Sequence, residues 1–167
     1  MESSLIWVGV ALALIFLLLL PVFVGFLLSA HQQVTRVELF KAPADEVWRA
    51  LSDLSQQSQW RAELKSMQML DDDAGLRWVE RTTLGGTTVL RKLKEIPGKE
   101  LWLDMQHAGS KSTRHARLNA VPGGTRVTFV ETQENRNPLG RIMARVKGNP
   151  ERHLDLFVRQ LKAHFSA

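Results

Sequence analysis

Glu80 and Arg91 stand on either side of Gly85-Gly86, and this spacing makes them the sharpest candidates for chemistry in the chain. A two-residue Gly-Gly turn is a strong hairpin signal. It sets Trp78 against Leu93, Glu80 against Arg91 and Thr82 against Val89 on one face. The other face sets Arg77 against Lys94, Val79 against Lys92 and Arg81 against Leu90. That second face is too basic to bury, so the first is expected to point inward. An acid opposite a base is a favourable cross-strand pair. Inside a tightly packed core an ion pair is costly, so an inward pair implies room for water or a ligand. At a half-solvated rim the same pair would only hold register. Both readings stand on the sequence.

Other chemistries are limited by what the chain lacks. Cysteine is absent, which excludes disulfides and thiolate nucleophiles. No Gly-x-Ser-x-Gly elbow appears. His31, His107, His115, His153 and His164 do not have metal-ligand spacing, so neither a metal nor a cofactor is expected. No catalytic residue is assigned. Trp48, Trp60, Trp78 and Trp102 are either pocket walls or core. After residue 30 the chain carries 22 Lys and Arg against 16 Asp and Glu, net +6. Such a charge suits an anionic surface. The Arg77, Arg81, Lys92 and Lys94 face has no interleaved aromatics and no motif, so nucleic acid is not expected.

The elements that must position these residues follow from periodicity. Leu5 to Leu28 is 24 residues without a charge. It would span ~36 Å, enough to cross a bilayer with some tilt. No basic residue precedes it, it is long for a signal-peptide apolar region, and Leu28-Ser29-Ala30 is a poor small-x-small site, which argues for an uncleaved anchor over a signal peptide. Arg36 and Lys41 after the span put the following domain in the cytoplasm by the positive-inside rule. Val34 to Lys41 alternates as a strand, and Ala42-Pro43-Ala44-Asp45-Glu46 opens a helix. Strands are expected at 64–70, 76–84, 87–96, 101–107, 112–121 and 125–133. Ala116, Leu118 and Ala120 face inward and carry Arg114 with them. Val127, Phe129 and Glu131 share the inner face of the last strand. The face of 101–107 that points inward is not decided by the sequence. Asn137 to Lys147 is short, basic and amphipathic. It either lies on an anionic leaflet or packs on the domain. Asn149 can cap a final helix whose apolar stripe is Leu154, Phe157, Val158, Leu161 and Phe165.

The order is a strand, a helix, a short helix, about six strands of antiparallel meander and a long helix. It resembles the helix-grip fold of START lipid-transfer domains, the birch-pollen-allergen family and the polyketide cyclase/dehydrase-like proteins. The local stretches resemble the last of these. They are Ala42-Pro43-Ala44-Asp45-Glu46-Val47-Trp48, Gln59-Trp60, Gly123-Gly124-Thr125-Arg126-Val127-Thr128 and Asn137-Pro138-Leu139-Gly140. The expected class is α+β, an antiparallel sheet wrapped around the C-terminal helix. Residues 1–30 form a transmembrane anchor and 31–167 a ligand-binding domain. The resemblance implies a hydrophobic small molecule or lipid held between sheet and final helix. Glu80, Arg91, Trp78, Trp60, Arg114, Phe129, Glu131 and Phe157 are its expected neighbours. Two alternatives remain open: a cyclase or dehydrase on a hydrophobic substrate, and a non-catalytic scaffold for a membrane protein.

Overall fold

The C-terminal stripe cannot bury itself, and the rest of the domain is built to cover it. A computed structural model of the chain describes residues 2–107, 110–146 and 150–166. In chain order they form α1 (Glu2–Leu27), β1 (His31–Phe40), α2 (Ala44–Ser52) and a 3-10 helix (Leu54–Gln59). There follow β2 (Leu64–Leu70), β3 (Arg77–Thr82), β4 (Thr87–Ile96), β5 (Glu100–His107), β6 (Ser110–Val121), β7 (Gly124–Glu134), α3 (Pro138–Val146) and α4 (Pro150–His164). The expected Asn149 cap and Lys147 lie outside the described residues.

All seven strands form one antiparallel sheet in the order β1-β7-β6-β5-β4-β3-β2. This is the α+β helix-grip arrangement. Its inner face meets α4. Leu154 and Leu161 of α4 are fully buried, and Phe157 and Val158 nearly so. They pack with Val127 and Phe129 of β7, Ala116 and Leu118 of β6, Leu101, Leu103 and Met105 of β5, Leu90 of β4 and Trp78 of β3. The inward set of β5 is therefore Leu101, Leu103 and Met105. Burying four such α4 side chains removes roughly 6–12 kcal/mol of apolar exposure, at about 1.5–3 kcal/mol each. At the β1 edge, Val34 and Phe40 are buried while Arg36 and Glu38 between them bind α4. Arg36 Nε donates to Asp155 Oδ1 at 2.7 Å, and Lys162 Nζ donates to Glu38.

Two of the stretches that carried the resemblance touch each other. Thr125 Oγ1, fully buried, donates to the Ala42 carbonyl at 2.8 Å. Gly124 has φ 147°, and a Cβ there would sit 2.0 Å from the Phe40 carbonyl oxygen. Only glycine lets the start of β7 approach the end of β1 this closely. The corner that opens α2 is thus pinned to the sheet. Val47 and Leu51 of α2 are then buried.

The β3–β4 register corrects the expected one. The turn is not a two-residue Gly85-Gly86 loop. Thr83, Leu84 and Gly85 form a three-residue loop in which Gly85 takes φ 86°. Its amide donates to the Thr82 carbonyl at 3.0 Å, and Thr82 and Gly86 pair. Trp78 therefore faces Leu90, and Glu80 faces Thr88. Arg91, Leu93 and Val89 turn outward, and Arg91 lies opposite Asp104 of β5. Leu93 is exposed instead of buried. Lys92, expected outside, shares the inner-face parity of Leu90 and sits at the rim, its Nζ 5.6 Å from the Trp78 ring centre. Ala120, expected inward, is exposed beside the Pro122-Gly123 turn.

α1 is long and apolar enough over Ile6–Leu27 to cross a membrane, and almost none of that segment is covered by the rest of the chain. Phe157→Ala should cost ~3–5 kcal/mol by opening a cavity at the centre of the grip. Urea unfolding of the purified full chain in mild detergent measures it. A loss under about 1 kcal/mol would mean that α4 is not the element the sheet is built around.

Candidate functional site

Two ion pairs lie inside the grip, and both converge on Phe157. The first is Arg61 with Glu80. Arg61 follows the 3-10 helix, where its amide donates to the Gln57 carbonyl at 2.9 Å. That turn points the guanidinium into the sheet. Nη1 donates to Glu80 Oε2 at 2.9 Å and Nη2 to Glu80 Oε1 at 3.2 Å. Nη1 also reaches Gln57 Oε1 at 3.2 Å, and Nε donates to Glu63 Oε1 at 2.8 Å. Arg61 and Glu80 are each 8% exposed. A fork-to-fork pair of this kind is among the stronger hydrogen-bonded arrangements. Burial pushes the Glu63 carboxyl up, but the charge and hydrogen bond of Arg61 outweigh it and leave the group below its ordinary value. Glu63 Oε2 and Gln160 Oε1 are buried acceptors with no hydrogen-bond partner.

The second pair is Arg114 with Glu131, directly opposed on β6 and β7. Arg114 Nη2 and Nε donate to Glu131 Oε2 at 2.7 and 2.9 Å. The Arg114 guanidinium carbon lies 4.3 Å from the Phe157 ring centre, and that of Arg61 lies 5.5 Å from it. Both are within cation–π reach, and desolvated contacts of this type can be worth ~2 kcal/mol. Trp60 meets the same ring at 5.5 Å and Phe129 at 6.0 Å, each edge to face. His164 stacks on Trp60 at 5.9 Å. Trp78 is buried, and its indole N–H donates to Ser55 Oγ at 3.3 Å.

Of the eight residues expected from the sequence, the structure gathers Trp60, Glu80, Arg114, Phe129, Glu131 and Phe157, with Trp78 buried on the same inner face. Arg91 is not among them. It is exposed on the outer face, and Arg61 takes the place expected for it beside Glu80. Arg61 sits in an aperiodic polar turn, so no pattern marked it. The available signal was indirect: an inward carboxylate on β3 needs a cation from somewhere.

Under α4 these side chains pack against one another, Trp60 and Phe129 both touching the Phe157 ring. An open recess of about 310 Å³ lies at one end of the grip, lined by Gln32, Gln33 and Val34 of β1, Arg145 of α3, and Pro150 and Glu151 of α4. Trp102 and His115 stack at 3.8 Å on the opposite face of the sheet, away from Phe157. Among the described residues, no group of three or more His, Asp or Glu side chains is placed to hold a metal.

Residues 31–165 match the family model described as polyketide cyclase / dehydrase and lipid transport. The chain belongs to this family. Solved structures share its fold. A START superfamily protein from Mycobacterium smegmatis superposes with a TM-score of 0.66 at 16% identity, over 80% of this chain and 97% of that one. A Rhizobium loti protein gives 0.62 at 21% identity, over 80% and 96%. The di-domain ARO/CYC StfQ of the steffimycin biosynthetic pathway gives 0.64 at 12% identity, over 82% of this chain and 51% of that one. At these identities the likeness is one of fold. No curated protein sequence matches the chain. The family points to hydrophobic-ligand binding or to cyclase-type chemistry, and a fold alone does not choose between them.

Arg61→Met should strand the Glu80 carboxylate and cost ~3–5 kcal/mol. The double change with Glu80→Gln should cost less than Arg61→Met alone, because no buried charge remains. Arg91→Ala should stay within about 0.5 kcal/mol of neutral. Chemical unfolding of the three variants checks all of this. Arg91→Ala costing more than Arg61→Met would contradict the register and the site together.

Proposed function

We propose that the domain holds a hydrophobic small molecule, lipid or isoprenoid-like, between the sheet and α4. The observation that carries this reading is the pair of buried Arg–carboxylate bridges aimed at one aromatic ring. A buried ion pair is weak support for stability, since well-packed apolar residues serve that end at least as well. Polar groups converging inside apolar walls are what a ligand site requires. Glu63 Oε2, beside Arg61, is an unpartnered buried acceptor, and Gln160, which reaches the Glu63 carboxylate, adds a second in its Oε1. Arg114 gives only Nε and Nη2 to Glu131 and so can spare donors for a ligand head group, whereas the donors of Arg61 are taken up by Glu80, Glu63 and Gln57. Displacing the Trp60 and Phe157 rings from each other would open the volume.

In this reading α1 is a single-pass anchor in the cell membrane, the domain lies on the cytoplasmic side, and the ligand comes from the adjacent bilayer. The amphipathic segment 137–147 contributes a second membrane contact. The close packing of Trp60 and Phe129 on Phe157 favours one other reading, a scaffold that keeps the fold but binds a membrane protein. A cyclase or dehydrase would need an inner carboxylate as acid or base; Glu80 and Glu131 are committed to guanidiniums, which leaves Glu63, with its unpartnered Oε2, as the candidate for that reading.

Purification of the full chain in mild detergent, followed by mass spectrometry of what co-purifies, decides between them. One lipid class at near-stoichiometric amount, lost in Arg114→Met, is the expected result. Bulk membrane lipid in unselected proportions, unchanged in that variant, favours the scaffold. Protease added to inside-out vesicles should digest the domain.

A further inference from the structure

α3 is joined to the end of α1 by contacts that the covering of α4 does not need. A Cβ on Gly25 would lie 2.3 Å from the Pro138 carbonyl oxygen and 2.5 Å from its carbon, so the two backbones meet where only glycine fits. Asn137 Oδ1 accepts from the Leu139 amide at 3.0 Å and starts α3 at that point. Arg141, one turn on, reaches back. Its Nη1 donates to the carbonyls of Leu28 at 3.2 Å and Gly25 at 3.4 Å. Its Nε and Nη2 donate to the carbonyls of Asn135 at 3.0 Å and Arg136 at 3.3 Å. The buried Asn135 donates its own amide to the Ala30 carbonyl at 2.8 Å. The last carbonyls of a helix lack partners and carry the negative end of its dipole. α1 has no basic residue in its last turn, and Arg141 supplies the cation from another element.

We infer that α3 lies on the membrane surface at the foot of α1, held there by Arg141, with Leu139 and Met143 among the acyl chains and the neighbouring recess opening at headgroup depth. This rests on α1 crossing the membrane. Contact with Gly25 places the start of α3 within one turn of the end of the span. Leu139 and Met143, four residues apart and so on one helix face, are 47% and 48% exposed. Arg145 is exposed and also lines the recess. The ridge stands on the side of α3 opposite Arg141 and Arg145, the two-sided pattern of a helix lying in a lipid interface. The surface lies where α1 leaves the bilayer, so lipid is the occupant already beside it. The joint therefore fixes which side of the domain faces the membrane.

The chain has no cysteine, so single cysteines report one position each. Leu139→Cys, Met143→Cys and Lys41→Cys would each carry an environment-sensitive fluorophore in the full chain, reconstituted into vesicles containing a minor fraction of anionic lipid. Lys41 follows β1, about 30 Å from its start. Labels at 139 and 143 should be quenched several-fold more than the label at 41 by nitroxides on the acyl chains. Arg141→Ala should bring the 143 label down to the level at 41 while the protein still resists alkaline extraction. Gly25→Val, which separates the joint from its other side, should do the same. Equal quenching at all three positions in extraction-resistant protein overturns the inference and leaves the anchor standing. Labels at 139 and 143 shielded from both lipid nitroxide and aqueous iodide would show a protein covering the patch, and also overturn it. Depth unchanged in both variants removes the orienting role of Arg141. Release of the chain at alkaline pH overturns anchor and inference together.

Discussion

The interior of this domain is governed by the need to satisfy two guanidiniums around one aromatic ring. Arg61 and Arg114 both lie within cation–π distance of Phe157, and both side chains are largely withdrawn from water. A buried cation without a carboxylate would be strongly destabilising. Glu80 and Glu131 must therefore face inward, which fixes the parity of β3 and β7. Phe157 must present its ring to both, which fixes the rotation of α4. The two bridges from β1, Arg36–Asp155 and Lys162–Glu38, hold α4 at that rotation.

Much of this was legible in the sequence, for identifiable reasons. β6 and β7 carry small or apolar residues at alternate positions, so Ala116 and Leu118, or Val127 and Phe129, leave one choice of inner face. Arg114 and Glu131 follow from parity alone. The α4 stripe is read as easily, because 3.6-residue periodicity over fifteen residues allows one apolar face. The β3–β4 hairpin was not legible. A two-residue loop and a three-residue loop closed by a left-handed glycine both ask for glycine near the tip. Composition does not say whether Gly85 opens the loop or closes it. The difference changes pairs that sum to 171 into pairs that sum to 168. It leaves Glu80 inside and exchanges Arg91 for Arg61. Arg61 itself lies in a turn with no period to read. The α1–α3 joint was equally hidden, because it depends on an approach at Gly25 that no local pattern encodes.

The stretches that gave the family resemblance have a physical role in common. Gly124-Thr125 receives the chain at Phe40 and Ala42, and Asn137-Pro138 starts α3 against α1. They are corners, where backbone approaches backbone and few residue types fit. The lining of the grip is freer to vary, since many side chains can fill a volume. That is why the sequence identifies this chain as a family member more readily than it identifies what the chain binds.

In the proposed function a hydrophobic ligand occupies the volume around Phe157. Photolabelling tests it most directly: a fatty-acyl probe bearing a diazirine, presented to the full chain in membranes, with the cross-linked residues mapped by peptide sequencing. Cross-links are expected on the inner face of α4 around Phe157 and at Trp60, competed by the native co-purifying lipid. Cross-links confined to α1 and α3, with none inside the grip, would contradict it.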